Sequence, residues 1–366
     1  MLVAERQIAT IDDVAPGAPK KKLIRRIDKD ISQRIRLAVQ VAFLVLNLWI
    51  GFRFYLWVRW AETGGQTATV PRPAGVEGWL PIEGLMQLKY VLSTGHLPRV
   101  HPAAFFLFVA FALSSLLLRK AFCGWLCPVG TISEFLWKIG CTLFRRNFHL
   151  PRWLDLPLRS LKYILLGLFA YAVAMMSAAA IAGFITSPYG LVVDVRMLNF
   201  FRFPGSTTIY VLGGLTVASM LVQNFWCRYL CPYGAWMGLL ALFSPVRITR
   251  SESACIDCAK CAKACPSALP VDKLVQIRSA ECIGCMECVA LCPAKDALAL
   301  NYLSAATTRR RLQPWQVAAA IAIIFFALVG YAKLTHHWQT RLPDKVFLQL
   351  VPSANEQQHP AVVETE

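Results

Sequence analysis

Five stretches of the chain are long, apolar and almost free of charge. Residues 37–52 carry no charge, and the run continues past Arg53 to Val58. Pro102–Leu118 is uncharged, Tyr163–Val193 is uncharged over 31 residues, Phe203–Cys227 over 25 and Leu312–Ala332 over 21. About 20 helical residues cross roughly 30 Å of hydrocarbon. The pattern therefore predicts about five transmembrane helices, with 163–193 long enough for a span plus a loop. The second run is the shortest and ends at Arg119-Lys120. The first is too long for a signal peptide, and no small-residue cleavage site follows it at Trp60-Ala61-Glu62.

Charge between the runs alternates. Residues 20–36 hold eight basic side chains (Lys20, Lys21, Lys22, Arg25, Arg26, Lys29, Arg34 and Arg36), and 119–162 hold eight more. Arg309-Arg310-Arg311 precede the last run. By contrast, 61–100 contain only Arg72, Lys89 and Arg99, and 185–206 only Arg196 and Arg202. Basic loops stay on the cytoplasmic side. The expected protein is thus a multi-pass protein of a bacterial inner membrane, with its N-terminus cytoplasmic and its C-terminus periplasmic. Composition agrees: of 366 residues 56% are hydrophobic and 16% charged, with a mean hydropathy of +0.48. Soluble domains carry about 25% charged residues. The net charge of +17 is then a topology signal rather than a nucleic-acid footprint.

The 13 cysteines change the picture. Cys255, Cys258, Cys261 and Cys265-Pro266 form a CxxCxxCxxxCP run, and Cys282, Cys285, Cys288 and Cys292-Pro293 repeat it. Bacterial two-cluster ferredoxins use this spacing, the fourth cysteine of each run ligating the other cluster. The expected ligand sets are Cys255, Cys258, Cys261 and Cys292 for one [4Fe–4S] cluster, and Cys282, Cys285, Cys288 and Cys265 for a second. Zinc sites favour paired CxxC with longer gaps, and a cytoplasmic segment disfavours disulfides. The domain, 245–302, is short with little hydrophobic core of its own, so its clusters are expected to serve as core and staple.

Two further pairs read alike: Phe122-Cys123-Gly-Trp-Leu-Cys127-Pro128-Val-Gly130 and Trp226-Cys227-Arg-Tyr-Leu-Cys231-Pro232-Tyr-Gly234. Each follows an inward-running helix that an outward-running helix precedes. The membrane part is therefore two copies of a helical hairpin, related by a pseudo-two-fold along the membrane normal. That symmetry sets Cys123 and Cys127 opposite Cys227 and Cys231. The four can hold a third [4Fe–4S] cluster, act as redox thiols, bind another metal, or simply pack as small apolar residues. Trp125 and Tyr229 are expected to shield the centre from water. Cys141 is left over, a free thiol without a role.

The motifs CGWLCPVG at 123–130 and CRYLCPYGA at 227–235, with the two ferredoxin runs, resemble the membrane polyferredoxins. These are the NapH-type, NosR-type and CcoG-type proteins, and the likeness spans roughly 37–335. Ser187-Pro188-Tyr189-Gly190 is similar to the same group. The resemblance implies membrane-bound iron–sulfur electron transfer. NosR-type proteins carry a large outer flavin-binding domain; only about 36 residues precede the first run here, so no FMN is expected. CcoG-type proteins end in an immunoglobulin-like domain, for which about 33 residues leave too little chain. NapH-type proteins are usually shorter, with four helices.

The resulting fold class is an α-helical integral membrane protein with an inserted cytoplasmic two-[4Fe–4S] ferredoxin-like domain. Its expected parts are a basic N-terminal segment (1–36), a membrane domain (37–244), the ferredoxin-like domain (245–302), a final helix (303–335) and a periplasmic tail (336–366). No CxxCH motif offers c-type haem attachment, and no haem is expected from His96, His101, His336 or His337. Glu83 and Asp194, in the outer loops, are either candidates for a quinol site or ordinary loop charge. No hydrolase triad, phosphate loop or HExxH is present. The function expected first is electron transfer between a quinone pool or cytoplasmic donor and a respiratory or periplasmic redox partner. The alternative is an accessory factor that reduces copper or thiols while another metalloenzyme matures. Either role is that of a redox component, as a quinol dehydrogenase subunit or metal reductase, rather than a stand-alone enzyme.

Overall fold

A computed structural model describes residues 24–26, 30–145, 148, 150–302 and 310–360. Lys20, Lys21, Lys22, Lys29 and Arg309 lie outside the described residues. Each apolar run contains a helix. The first is α1 (Ser32–Glu62), followed by a 3₁₀ turn (Ala74–Trp79), α2 (Pro81–Thr94) and α3 (Pro102–Leu118). Next come α4 (Pro128–Phe144), α5 (Arg152–Met175), α6 (Ala178–Thr186), α7 (Pro188–Leu191), α8 (Val193–Arg202), α9 (Ser206–Leu221) and α10 (Pro232–Leu242). Three helices are long and apolar enough to cross a membrane: α1, α5 and the later α13 (Pro314–Leu334). The helices α3 and α9 are apolar but shorter, at 17 and 16 residues.

The 31-residue uncharged run divides where serine offers a cap. Ser177 Oγ accepts the Ala180 N–H at 3.1 Å, and Ser187 Oγ accepts the Gly190 N–H at 3.0 Å. Such caps satisfy backbone donors that start a new helix, and Pro188 suits the first helical position. So α5 takes only the first part of the run and extends back to Arg152. This brings Asp155, Arg159 and Lys162 into its inner end.

The helical packing repeats. Helix α3 lies against α10 and α4 against α9, the exchange a two-fold relation requires. In the same way α1 borders the first CxxxCP turn and α5 the second. At one end of this bundle sits a small sheet. Strand β1 (Val246–Arg250) pairs antiparallel with β2 (Leu298–Tyr302), Val246 opposite Tyr302 and Arg250 opposite Leu298. A short β3 (Arg310–Arg311) adds to β2. Alternate residues share one face of a strand, so Val246, Ile248, Leu298 and Leu300 point inward with Val271 and Ile277. These residues join Leu107, Phe111 and Met237 of the helices in one core. The ferredoxin-like domain thus shares its core with the bundle, where the sequence suggested clusters alone.

Arg119 fastens the two. It is fully buried, donating from Nη1 to Ala241 O at 3.0 Å and from Nη2 to Ile277 O at 2.6 Å and Ser279 O at 2.9 Å. The N-terminal segment lies on this same side: the Arg26 N–H reaches Pro293 O at 3.0 Å, and Gln33 Nε2 reaches Cys285 O at 2.9 Å. At the opposite end, α14 (Asp344–Leu350) folds back onto α1. There Phe347, Val351 and Ala354 bury against Phe54, Trp57 and Val195. The expected tail is therefore a folded cap as far as it is described.

Candidate functional site

The two ferredoxin runs adopt one local geometry. Asp257 and Ala259 have φ of 55° and 54°, and their counterparts Gly284 and Met286 have 62° and 60°. Left-handed residues at such intervals turn successive N–H groups into a concavity that suits anionic sulfur. Each run then forms a single helical turn, α11 (Lys260–Lys263) and α12 (Glu287–Ala290). Cys255, Cys258, Cys261 and Cys292 line one small cavity. Cys265, Cys282, Cys285 and Cys288 line another. These are the crossed sets that the spacing suggests. Cys261 lies in α11 and Cys265 two residues beyond its end, so this short segment supplies a cysteine to each cavity.

The CxxxCP segments are also alike. Phe122–Leu126 and Trp226–Leu230 each make one π-turn, closed by the N–H of Cys127 to Phe122 O at 2.8 Å and of Cys231 to Trp226 O at 3.0 Å. Each ends in a cysteine that precedes a helix-opening proline, so Cys127 and Cys231 stand at the N-termini of α4 and α10. The Gly234 N–H donates to Cys231 Sγ at 3.2 Å. Two helix N-termini, each favouring negative charge, thus meet at one place. Between α3 and the first turn the chain doubles back at Arg119-Lys120, with φ of 62° and 55°. The Phe122 ring then stacks on Phe111 with centroids 4.2 Å apart. The turn is drawn back into the bundle instead of resting at its rim.

All four cysteines line one cavity of about 590 Å³. Burial pushes the Cys123 thiol up to about 11 and the Cys127 thiol to about 12, the other cysteines adding to the effect. Thiolates here need a cationic group to neutralise them, and a polyiron cluster supplies that charge. Among the described residues no three His, Cys, Asp or Glu side chains converge closely enough to hold a single metal ion. The cysteines instead ring cavities, an arrangement that suits a multi-atom cluster.

Charged side chains share the cavity wall, among them Lys120, Glu281, Arg36, Glu134 and Arg228. Lys162 Nζ meets Glu281 Oε2 at 2.6 Å, and the Tyr163 hydroxyl donates to Glu281 Oε1 at 2.9 Å. On the other flank, Arg36 clamps Glu134 with two hydrogen bonds of 2.9 and 2.7 Å. Sequence reasoning missed this ring of buried charge. The signal was there: Arg119-Lys120 three residues ahead of a cysteine motif, Glu281 beside Cys282, and Lys162 at the edge of an uncharged run.

Trp125 and Tyr229 do not line the cavity. They are buried facing their neighbours: Trp125 Nε1 donates to Gly284 O at 3.2 Å and the Tyr229 hydroxyl to Asp155 Oδ1 at 2.6 Å. Their role is to anchor the turns. Glu83 and Asp194 do not reach it either. Glu83 pairs with His101 Nδ1 at 2.9 Å, and Asp194 with Arg72 at 2.6 Å. Cys141 lies outside all three cavities.

A family profile described as a 4Fe-4S binding domain matches residues 100–151 and 206–250, covering both CxxxCP turns. A 4Fe-4S dicluster domain profile matches 247–293. YccM of Escherichia coli strain K12, named for electron transport, is 50% identical over 321 residues, 87% of this chain and 90% of YccM. The ferredoxin-type protein NapH of the same strain is 25% identical over 194 residues, 51% of this chain and 61% of NapH. The regulatory protein NosR of Pseudomonas aeruginosa is 30% identical over 164 residues, 44% of this chain and 22% of NosR. No solved structure matches the chain.

Proposed function

Because the chain belongs to the family of membrane-associated 4Fe-4S ferredoxin-type proteins, we propose that it passes electrons along three iron–sulfur centres from one face of a membrane into its interior. When bound, each cluster supplies a one-electron carrier, tuned by net charge, hydrogen bonds and exposure. The residues that would hold them are Cys255, Cys258, Cys261 and Cys292, then Cys265, Cys282, Cys285 and Cys288, then Cys123, Cys127, Cys227 and Cys231.

One observation carries this reading: the second ferredoxin cavity adjoins the large one, while α11 and α12 pack together between the two ferredoxin cavities. Pro266, Ser267 and Ile283 border both the second ferredoxin cavity and the large one. Gly124 of the first CxxxCP turn lies directly on the Ile283 carbonyl. The chain's own contribution is to fix these spacings and to keep water from the inner two sites.

The partners follow from the two ends of the line. Cys258 is exposed, which suits a soluble redox protein. At the other end the large cavity rises from the cysteines past Phe43, Phe111 and Phe325 to Asn47 and Trp79. It opens beside Leu46, Trp49 and Phe326, whose side chains are exposed on the bundle surface. Mostly apolar walls with a few polar groups suit a small ligand, here a membrane-soluble quinone. The basic loops support a cytoplasmic ferredoxin-like side with α14 on the other face.

Iron and sulfide analysis of anaerobically purified protein tests the number of centres. About twelve irons per chain are expected, four per cubane, falling to about eight in the Cys123→Ser/Cys227→Ser double variant. A wild-type value near eight, unchanged in that variant, would leave thiol chemistry or packing as the role of the CxxxCP cysteines.

A further inference from the structure

We propose that Lys120 raises the reduction potential of the centre at Cys123, Cys127, Cys227 and Cys231, with the Lys162–Glu281 pair as a charge-neutral neighbour. The inference rests on the reading that these cysteines hold a cluster, and adds what sets its potential.

Lys120 is 3% exposed, in a left-handed conformation that non-glycine residues rarely adopt. Its ammonium makes a single long hydrogen bond among the described residues, 3.4 Å to Ala280 O. A buried ammonium with so little compensation is costly. Gly238 makes room for it: a Cβ there would lie 3.3 Å from Nζ. Two features thus converge, a strained backbone and a missing side chain opposite, both directing one positive charge to the wall that the four cysteines share.

Glu281 stands on the same wall with the opposite charge, but it is spoken for. Lys162, fully buried, meets it at 2.6 Å, and Tyr163 donates a second hydrogen bond. The pair is neutral as a unit, and Arg36, Arg72 and Arg228 on the wall each meet a carboxylate, so beside the cysteines the cation without an ion pair among the described residues is Lys120. Adding an electron to a cluster adds negative charge. A buried cation beside it favours the reduced form, more strongly in a low dielectric than in water. Net charge and exposure are established levers on such potentials.

The test is an anaerobic EPR redox titration of the full-length protein in detergent. The signal to follow is the one lost in Cys123→Ser/Cys227→Ser. Lys120→Met should lower its midpoint potential, Lys120→Arg should leave it near wild type, and Glu281→Gln should raise it. Lys162→Met/Glu281→Gln removes a neutral pair and should sit near wild type. Should Lys120→Met lose its iron, the Glu281→Gln shift decides the matter. Opposite shifts for the two single variants support the proposal, since a purely structural role gives no reason for opposite signs. No shift in Glu281→Gln, or shifts of one sign in both, overturns it. A wild-type protein with about eight irons and no signal lost in the cysteine variant is a different failure: it removes the centre itself.

Discussion

The seat of Gly124 against the ferredoxin-like domain invites a test by one methyl group. A Cβ at Gly124 would lie 2.3 Å from Ile283 O, where the obstacle is backbone that cannot rotate away. The 282–288 loop or the CxxxCP turn would have to move by roughly an ångström to restore ordinary contact. Overpacking of a tight site costs typically about 1–3 kcal/mol, and a backbone obstacle belongs at the upper end. The neighbouring bond from Trp125 Nε1 to Gly284 O, 3.2 Å long, would stretch with it, adding about 1 kcal/mol. Gly124→Ala should therefore destabilise the protein by about 3–4 kcal/mol. Gly51 is the control, because nothing lies within 4 Å of its Cβ position and it sits inside α1. Gly51→Ala should be neutral or stabilising by up to about 1 kcal/mol through helix propensity. The assay is thermal unfolding in detergent, followed with iron retention, for both variants beside wild type. If Gly124→Ala melts with Gly51→Ala, the domain is not seated on this turn as described.

Three other outcomes are expected. Cys258→Ala and Cys265→Ala should lose different cluster signals by EPR, since they line different cavities; loss of one and the same signal would refute the crossed sets. For His101, burial alone would depress the pKa, but the Glu83 carboxylate overrides it and lifts it from 6.5 to about 9. A raised pKa means that the folded state binds the extra proton. The stabilisation is then complete below about pH 6.5 and lost as pH rises toward about 9. Wild type should lose more thermal stability across that window than His101→Gln, and equal slopes would dismiss the pair. Lastly, a periplasm-dependent reporter fused after Glu366 should be active, whereas activity only in the cytoplasm would invert the orientation.

The sequence made the ferredoxin-like sites legible because ligand spacing is local chemistry: CxxCxxC fixes three sulfurs within seven residues, and the proline redirects the fourth. That each apolar run holds a helix was legible for a similar reason, since lack of charge is itself the signal, although only α1, α5 and α13 are long and apolar enough to cross a membrane. The CxxxCP turns were visible as a duplication. Their retreat into the bundle was not, because Arg119 and Lys120 take left-handed conformations with no glycine or asparagine to announce them. Trp125 and Tyr229 were misread because an aromatic beside a ligand suggests shielding, while their polar tips prefer a hydrogen bond when buried. The α14 cap was missed too: only seven residues long, it owes its place to Phe347 and tertiary contact rather than to propensity.

The single core shared by the sheet and the helices has a kinetic consequence. A ferredoxin joined by a loose tether could swing between partners and carry its electrons with it. Here the domain is fixed on the bundle, so under the proposed function exchange with a soluble partner would be a collision at one surface. Lys260 and Lys263 are exposed beside Cys258 at that surface. Encounter with an acidic partner would be steered by this charge, and its rate would fall as ionic strength rises.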